Sequence, residues 1–375
     1  MSKIGAGGLV YVLVTMFMAI GAINAQNNLL FWLFGAALGG IVSSGFIGGM
    51  GMMGVCASRR VVGAARVGEP ARVTYRVANI NRRAAAVALS FRERGAPIDF
   101  IESSLAGLAR IGPGDELITH GYVLAKRRGE IELPAFDVSS SYPIGLLLKR
   151  LHFEQSTMLL ARPARVELAP DLLRRVLGDQ GRDGGSSRAI GPGEEFFGIR
   201  EYRPGDPVRH IAWRSSAKGS GHRVMLHTRQ APRALWVVIG VRPTPEPIAA
   251  QDWRERALGD PFEAATTIAA AAIEAARDAG LAFGLRIPEL GIEVATSAGG
   301  AHAERCLDLL ASASGERIEK EAAAWSPGSR EGCLYLHAGD ASSAPPGAVL
   351  VDSLEPSAVI RGFVVDRPGY ERGRA

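Results

Sequence analysis

One short segment concentrates the residues that could do chemistry, Glu195 to Lys218, which reads EFFGIREYRPGDPVRHIAWRSSAK. It places arginines, carboxylates and a histidine among aromatic side chains. Such a set could supply an acid, a base and an anion-binding group. Pro204 and Gly205 suit the centre of a type II turn, and Asp206 followed by Pro207 is typical of a helix start. The pattern therefore predicts a strand, a tight turn and a short helix.

The predicted helix would begin at Asp206 and carry Val208, Ile211 and Ser215 on one face. Two interpretations of the charged residues stay open. They can form a structural network of ion pairs, or they can act on a partner or ligand. A cation–π contact of Trp213 with a neighbouring arginine is compatible with both interpretations.

The segment closely resembles the signature of a bacterial family catalogued as domain of unknown function 58, approximately REY-x-PGDD-x-R-x-IDW followed by small and basic residues. The matching positions are Arg200, Glu201, Tyr202, Pro204, Gly205, Asp206, Arg209, Ile211, Trp213 and Lys218. Pro207 and Ala212 depart from the pattern, because the family usually has an acid at each of these places. A second stretch, KRRGEIELPAFDVSSSYPIGLL at 126–147, resembles the family's basic turn and its Pro-x-Gly-Leu strand ending.

The resemblance implies a membrane-anchored protein with a von Willebrand factor A-like domain. It also implies a partner, because members of that family are commonly associated with MoxR-type AAA+ ATPases that are thought to assemble or activate envelope complexes. The matching residues other than Ile211 are then candidates for partner binding or for a structural role. We predict no cofactor.

The N-terminal region predicts a transmembrane anchor. No charged residue occurs from Gly5 to Ala57, and the polar cluster Asn24 to Asn28 divides this run into two apolar stretches, each long enough to span a bilayer. Lys3 precedes the first stretch, and Arg59 and Arg60 follow the second. Under the positive-inside rule both ends lie in the cytoplasm. We expect residues 1–58 to form a two-helix anchor in the bacterial inner (cytoplasmic) membrane, with the soluble domains in the cytoplasm.

A second interpretation of the N-terminus stays open. Residues Met1 to Ala25 also resemble a cleaved signal peptide, with a basic start, an apolar stretch and a small residue at the end. The second apolar stretch would then still anchor the chain. Its small residues at four-residue spacing would allow another helix to approach closely.

The region 59–170 predicts a small antiparallel β-sandwich. Residues 71–79 and 87–94 alternate between apolar and polar, and turn signals separate such runs. The basic loop at Lys126 to Arg128 is either a solvated turn or a contact for anionic headgroups. Residues 171–233 are expected to hold a Gly-rich linker and the signature segment. The linker is not predicted to bind a nucleotide, because it lacks the Gly-Lys-Ser/Thr ending of a nucleotide-binding loop.

The region 234–375 predicts an α/β domain. A buried strand is expected at 235–240, and Asp260 with Pro261 marks the start of an alanine-rich helix that runs to Gly280. Further strands and a helix alternate up to residue 365, which implies a parallel sheet. By the family resemblance this would be a degenerate von Willebrand factor A-like domain with a doubly wound sheet.

The chain lacks the ligands for the metal that such domains commonly bind. That metal loop reads Asp-x-Ser-x-Ser directly after the first strand, whereas this chain has Gly240-Val241-Arg242-Pro243-Thr244. One hydroxyl cannot hold a divalent cation, and Arg242 would repel it, so we expect no metal. Asp340 and Asp352 are interpreted as ordinary acids at strand ends. His222 and His227 could join His210 as ligands, but their odd separation in a predicted strand points them to opposite faces.

Three functions remain open, and we expect no enzymatic activity. The favoured hypothesis is a membrane-anchored interaction or scaffold protein that docks a MoxR-type AAA+ ATPase or another envelope-complex partner. One alternative is a membrane-associated enzyme that uses Glu201, Asp206 and Arg209; the other is a structural envelope subunit without an ATPase. Neither a catalytic serine motif nor a nucleic-acid module occurs in the sequence, and no small-molecule substrate is predicted.

The uneven charge agrees with a membrane-bound interaction protein. Residues 58–233 contain 29 Lys and Arg against 18 Asp and Glu, whereas residues 234–375 contain 13 against 20. A basic half can lie against an anionic membrane surface, and an acidic half favours different partners. The three cysteines are widely spaced, which argues against a disulfide framework.

Overall fold

A computed structural model describes residues 2–61, 63–96, 101–177, 190–203, 211–217, 221–228, 234–242, 252–314, 325–328 and 331–364. This part of the chain divides into two compact units between Arg162 and Pro163. The first unit holds a pair of helices and a β-rich body. The second unit holds the signature segment and an α/β sheet.

The elements of the first unit begin with a short strand and the two long helices. They are β1 (Ser2–Ile4), α1 (Ala6–Ala25), α2 (Asn28–Met52), β2 (Val55–Val61), β3 (Ala65–Arg66), β4 (Pro70–Asn79), β5 (Ala86–Arg94), β6 (Ile101–Ser103), β7 (Ala106–Ile111), β8 (Glu116–Ala125), β9 (Gly129–Ser140) and β10 (Leu147–Arg162).

The elements of the second unit include a long hairpin and alternating strands and helices. They are β11 (Val166–Leu168), α3 (Pro170–Leu177), β12 (Ile190–Glu201), α4 (Trp213–Ser216), β13 (Arg223–Thr228), β14 (Ala234–Ile239), α5 (Trp253–Gly259), α6 (Pro261–Asp278), β15 (Ala282–Ile287), β16 (Ile292–Ser297), α7 (Gly300–Ser312), β17 (Glu331–His337), β18 (Val349–Asp352) and β19 (Ile360–Phe363).

Helices α1 and α2 are both long and apolar enough to cross a membrane. Their large apolar side chains are exposed, as lipid-facing side chains would be, and Trp32 is 80% exposed. The Asn27 carboxamide caps the start of α2 by accepting from the Leu29 N–H at 2.9 Å. The Tyr11 hydroxyl donates to Ala37 O at 3.2 Å and so joins the two helices. The prediction of two membrane-length helices with a short connection is confirmed.

The β-rich body of the first unit consists of two sheets that share one core. One sheet has the order β2-β4-β8-β6, and the other has the order β1-β10-β9-β5-β7, with β3 beside β10. All pairings are antiparallel except that of β3 with β10. Val73 and Val77 from the first sheet pack with Phe91, Leu133 and Phe136 from the second. The expected β-rich region after the helices is therefore present.

The second unit is built around a five-stranded sheet with the order β16-β15-β14-β17-β18. β14 runs parallel to β15 and β17, and β17 runs parallel to β18, whereas β15 and β16 are antiparallel. Asp260 caps α6 by accepting from the N–H groups of Phe262 and Glu263. The predicted mixture of strands and helices, with this capped helix, is confirmed. The prediction of a wholly parallel sheet is wrong at its β16 edge.

The helices that pack on this sheet lie on one face in the described part of the chain. Leu235, Val237 and Ile239 point to the face covered by α3, α6 and α7. Trp236 and Val238 point to the opposite face and join a separate small cluster. A doubly wound sheet has helices on both faces, so the described residues show one of the two helical layers that we predicted.

The last described strand does not join this sheet. β19 pairs antiparallel with β11, so that Val166 faces Phe363, and the Val364 N–H donates to Arg165 O at 3.0 Å. We expected residues 359–365 to add a strand to the parallel sheet. Sequence alternation identifies a strand but does not identify its neighbour, which here lies almost 200 residues earlier.

Candidate functional site

The signature segment is held by the hairpin of β12 and β13. Glu201 lies opposite Arg223 in the antiparallel ladder, and Arg200 lies opposite Val224. The Tyr202 N–H donates to His222 O at 2.8 Å, which continues the pairing by one residue. The strand predicted before the turn is therefore present, and it ends at Glu201, the second residue of the signature.

A compact structure closes the end of this hairpin. Ile211 forms an isolated antiparallel bridge with Val224, and the Ala212 N–H donates to Arg223 O at 2.7 Å. The Ser216 hydroxyl accepts from the Arg223 N–H at 2.9 Å. We call residues 200–203, 211–217 and 221–225 the hairpin head. Main-chain pairing fixes the hairpin head, since each of its described segments is bonded to another.

The predicted helix does not run through Ile211, and its expected start at Asp206 lies outside the described residues. We predicted that Ile211 and Ser215 share a helical face from Asp206 onwards. In the structure Ile211 is extended and paired with Val224, and the helical turn α4 begins only at Trp213. The strand pairing is favoured over a helix at Ile211 because it buries Ile211 and Val224, which are 7% and 3% exposed.

The outer surface of the hairpin head is aromatic and basic. The Trp213 side chain is 62% exposed, and its ring meets the His222 ring edge-on at 6.0 Å between centroids. The Tyr202 ring meets the same imidazole at 6.4 Å. Arg203, Arg214 and Arg223 are exposed and directly follow Tyr202, Trp213 and His222 in the sequence. Exposed aromatic rings accompanied by arginines are a typical composition for a protein-binding surface.

The structure describes four of the predicted signature residues, Arg200, Glu201, Tyr202 and Trp213, and brings them together in the hairpin head. Glu201 is exposed at the end of β12, and Arg200 Nη1 donates to Glu201 O at 2.9 Å. Five of the predicted residues lie outside the described part of the chain: Pro204, Gly205, Asp206, Arg209 and Lys218.

The carboxyl ends of the parallel strands form a second candidate region. The Gly240 N–H donates to Leu336 O at 2.8 Å, and the Tyr335 hydroxyl occupies the space that a side chain at Gly240 would need. Arg242 Nε lies 3.7 Å from Glu289 Oε1. Burial raises the pKa of Tyr335. The Arg242 guanidinium and the Tyr335 hydroxyl thus lie at the described part of residues 240–244, while Pro243 and Thr244 lie outside the described residues.

Asp340 and Asp352 stabilise turns at this edge of the sheet. Asp340 Oδ1 accepts from the Ser342 N–H at 2.8 Å, and this hydrogen bond lowers the pKa of the Asp340 carboxyl. Asp352 Oδ1 accepts from the N–H groups of Leu354 and Gly339. Within the described ranges no three His, Cys, Asp or Glu side chains are grouped as a metal site would need. The expectation that this loop binds no metal stays a prediction.

The first unit contains a buried charge cluster that the sequence did not predict. Arg59 is completely buried, and its guanidinium bonds both the Glu93 carboxylate and Leu133 O. The Tyr75 hydroxyl donates to Glu93 at 2.6 Å. Burial raises the pKa of Glu93, although both partners favour its charged form.

We had assigned Arg59 to the basic flank of the anchor. The alternation along β2 indicates that Arg59 points inward, because it shares the inward phase of the strand with Val55, Ala57 and Val61. Glu93 shares the inward phase of β5 with Phe91 in the same way. Arg59 is therefore a core residue, whereas Arg60, the other arginine of the predicted basic flank, is exposed.

Comparisons with known proteins identify no family for this chain. No family model matches it, and no curated protein does. Two solved structures of a β-glucosidase from Kluyveromyces marxianus, one selenomethionine-labelled and one in complex with glucose, align over 28% of this chain and 15% of theirs. Each alignment has 11% identity and a TM-score of 0.13. A likeness this small carries no structural or functional argument.

Proposed function

We propose that this protein is a membrane-anchored interaction protein that docks another protein through the hairpin head. The exposed Trp213 ring, in a hairpin head that also exposes three arginines, carries the proposal. An exposed tryptophan loses contact with water when it enters a partner's pocket, and arginines supply directional hydrogen bonds around it. The partner surface would be acidic, because arginine outnumbers glutamate four to one in the hairpin head.

We propose a MoxR-type AAA+ ATPase, or another protein of an envelope complex, as the partner. The proposal rests on the resemblance of the signature to the domain of unknown function 58 family, in which Arg200, Glu201, Tyr202 and Trp213 match. The α/β sheet of the second unit supports it, since a central parallel β14 flanked by β15 and β17 suits a von Willebrand factor A-like domain. This family membership is part of the proposal.

We further propose that the protein lies in the bacterial inner membrane with its soluble units in the cytoplasm. The end of α2 abuts the β4–β5 turn, where Asn81 Nδ2 donates to Met50 O at 2.8 Å. The exposed Arg82 and Arg83 follow directly in this turn. Together with Lys3 they place positive charge at the end of the helices that joins the soluble body, which favours a cytoplasmic location for that end.

Co-purification tests the docking proposal. Detergent-solubilised membranes are passed over affinity-tagged protein, with and without ATP, and the bound proteins are identified. We expect an AAA+ ATPase whose recovery depends on nucleotide and falls with Trp213→Ala. The control is Leu354→Ala, because Leu354 is 56% exposed in the same unit but outside the hairpin head. Recovery of no ATPase under either condition would favour a structural envelope subunit instead.

The exposed Cys56 tests the proposed side of the membrane. It lies just after α2, whereas Cys306 and Cys333 are buried. A membrane-impermeant maleimide should label Cys56 in inverted inner-membrane vesicles but not in intact spheroplasts. Labelling of Cys56 in spheroplasts would place the soluble units outside the cytoplasm.

A further inference from the structure

The connection between β9 and β10 has an unusual composition for a turn. Residues 141–148, which are this connection and the first two residues of β10, read SYPIGLLL and contain no charge. We call them the 141–148 turn. Two large side chains of this turn are exposed, Tyr142 at 41% and Ile144 at 53%. Leaving such apolar surface in water costs free energy, so a neighbouring apolar phase is expected to cover it.

The 141–148 turn lies along the second helix. Ile144 Cδ1 is 3.7 Å from the place of a Cβ at Gly40, and Leu147 Cδ1 is 3.7 Å from the corresponding place at Gly45. Tyr142 O comes within 2.7 Å of a Cβ position at Gly48. The glycines of α2 therefore make room for this turn. Small residues in a membrane helix would also suit helix pairing, but at these positions they receive a loop of the same chain.

The turn also contacts the beginning of the first helix. The Gly5 N–H donates to Leu146 O at 3.4 Å, and β1 pairs antiparallel with residues 147–149 of β10. The turn therefore follows both helices into the region that we assign to the bilayer.

The contact with Gly40 lies at hydrocarbon depth. Gly40 is 12 residues from Asn28, at the other end of α2, or about 18 Å along a helix that rises 1.5 Å per residue. The hydrocarbon layer is about 30 Å thick, so Gly40 lies roughly 12 Å inside its far boundary. The Lys149 ammonium group bonds Gly45 O, about 25 Å from Asn28 by the same rise, where a lysine can reach the headgroups.

We propose that the 141–148 turn is inserted into the bilayer beside α1 and α2, with Ile144 among lipid acyl chains and Tyr142 nearer the headgroups. Large side chains of α2 at this depth are exposed as well, Val42 at 64% and Phe46 at 67%. Lipid is the occupant that matches both surfaces at this depth. The β-rich body is thereby held against the membrane by three elements, and the inference does not depend on any docking partner.

Spin labels measure this depth directly. A nitroxide is attached to Ile144→Cys or Tyr142→Cys in a Cys56→Ser background, and the protein is reconstituted into phosphatidylcholine and phosphatidylglycerol vesicles. Oxygen concentrates in the acyl chains, while a nickel chelate stays in water. We expect the Ile144 label to collide more with oxygen than with nickel, and the Tyr142 label to show a smaller excess.

Two controls calibrate the result. A label at Phe17→Cys reports the lipid around α1. A label at Leu105→Cys reports water, because Leu105 lies at the end of β7 that is far from α2. The other end of β7, at Ile111, pairs with Ala86 beside α2. Nickel access at Ile144 equal to that at Leu105 would overturn the proposal. Exclusion of both reagents from Ile144 would also overturn it, since protein rather than lipid would then cover the turn. Far-ultraviolet circular dichroism confirms that each variant is folded.

Discussion

The hairpin head and the α/β sheet of the second unit use the same residue type in opposite ways. Trp236 in β14 is 7% exposed, donates to Glu331 Oε2 at 2.9 Å and meets Trp325 edge-on at 5.0 Å. Trp213 in the hairpin head is 62% exposed and has only an edge contact with His222 among its described ring contacts. A tryptophan that has its partners stabilises the fold, whereas an exposed one is available to another molecule.

The largest expected effect extends this comparison to arginine. Arg59→Ala should lower the free energy of unfolding by about 3–5 kcal/mol, because it leaves the buried Glu93 carboxylate without its cation. Arg214→Ala should change it by less than about 0.5 kcal/mol, since Arg214 is exposed. Chemical unfolding of the detergent-solubilised chain measures both values. Equal losses of unfolding free energy in the two variants would show that burial does not determine how much each arginine stabilises the fold.

Substitutions of Trp236 and Trp213 should differ almost as much in their effect on the free energy of unfolding. Trp236→Ala removes a buried ring and its hydrogen bond, and we expect a loss of about 3–4 kcal/mol in the free energy of unfolding. Trp213→Ala should cost less than about 1 kcal/mol, because its ring is mostly in water already. Thermal unfolding of the two variants under identical conditions provides the comparison. A large loss in Trp213→Ala would assign that residue to the scaffold.

Two glycines sharpen the comparison within the second unit. A Cβ at Gly284 would lie 2.8 Å from Val294 O and 2.9 Å from the Trp236 ring, so Gly284→Ala should cost about 1–3 kcal/mol. No atom lies within 4 Å of a Cβ at Gly300 at the start of α7. Gly300→Ala should therefore be neutral or stabilise by up to about 0.5 kcal/mol. Similar unfolding midpoints for Gly284→Ala and Gly300→Ala would contradict this prediction.

Sequence patterns predicted the elements that follow from periodicity and capping. The two apolar helices, the Asp260 cap of α6 and the strand ending at Glu201 needed only local information. The pairing of β19 with β11 and the bridge from Ile211 to Val224 depend on distant segments, which local patterns do not encode. The inward phase of Arg59 was visible, but an arginine beside a membrane helix also fits a topology signal, so its burial was not predicted.

The candidate site could be predicted in part. The signature resemblance selected Tyr202 and Trp213, which the structure brings together on His222. The exposure of Trp213 was not predictable, because tryptophans are highly buried on average. The proximity of His222 to both rings depends on the register of β12 and β13, and the hairpin sets that register.

The smallest effect concerns the cysteines and leaves the fold unchanged. Burial raises the pKa of the Cys333 thiol to about 12 and that of Cys306 to about 11. Native alkylation at pH 8 should therefore modify the exposed Cys56 first, and mass spectrometry of the peptides measures this order.

The same thiols fix the sign of a pH effect. The folded state holds their protons more firmly than the unfolded state, whose thiols titrate near 9.0. Their contribution to stability is present below pH 9 and is lost as the pH rises towards the folded values. Equal labelling of all three cysteines in the native protein would show that the second unit is open in solution.

The docking claim is tested most directly by the affinity of the proposed AAA+ ATPase for the chain in lipid nanodiscs. Wild type, Trp213→Ala and Leu354→Ala are compared at the same salt concentration by biolayer interferometry. We predict that Trp213→Ala weakens binding by about 30-fold, equivalent to about 2 kcal/mol, while Leu354→Ala and the unfolding midpoints change little. Unchanged binding in Trp213→Ala, or an equal loss in both variants, would contradict the assignment of the hairpin head as the docking surface.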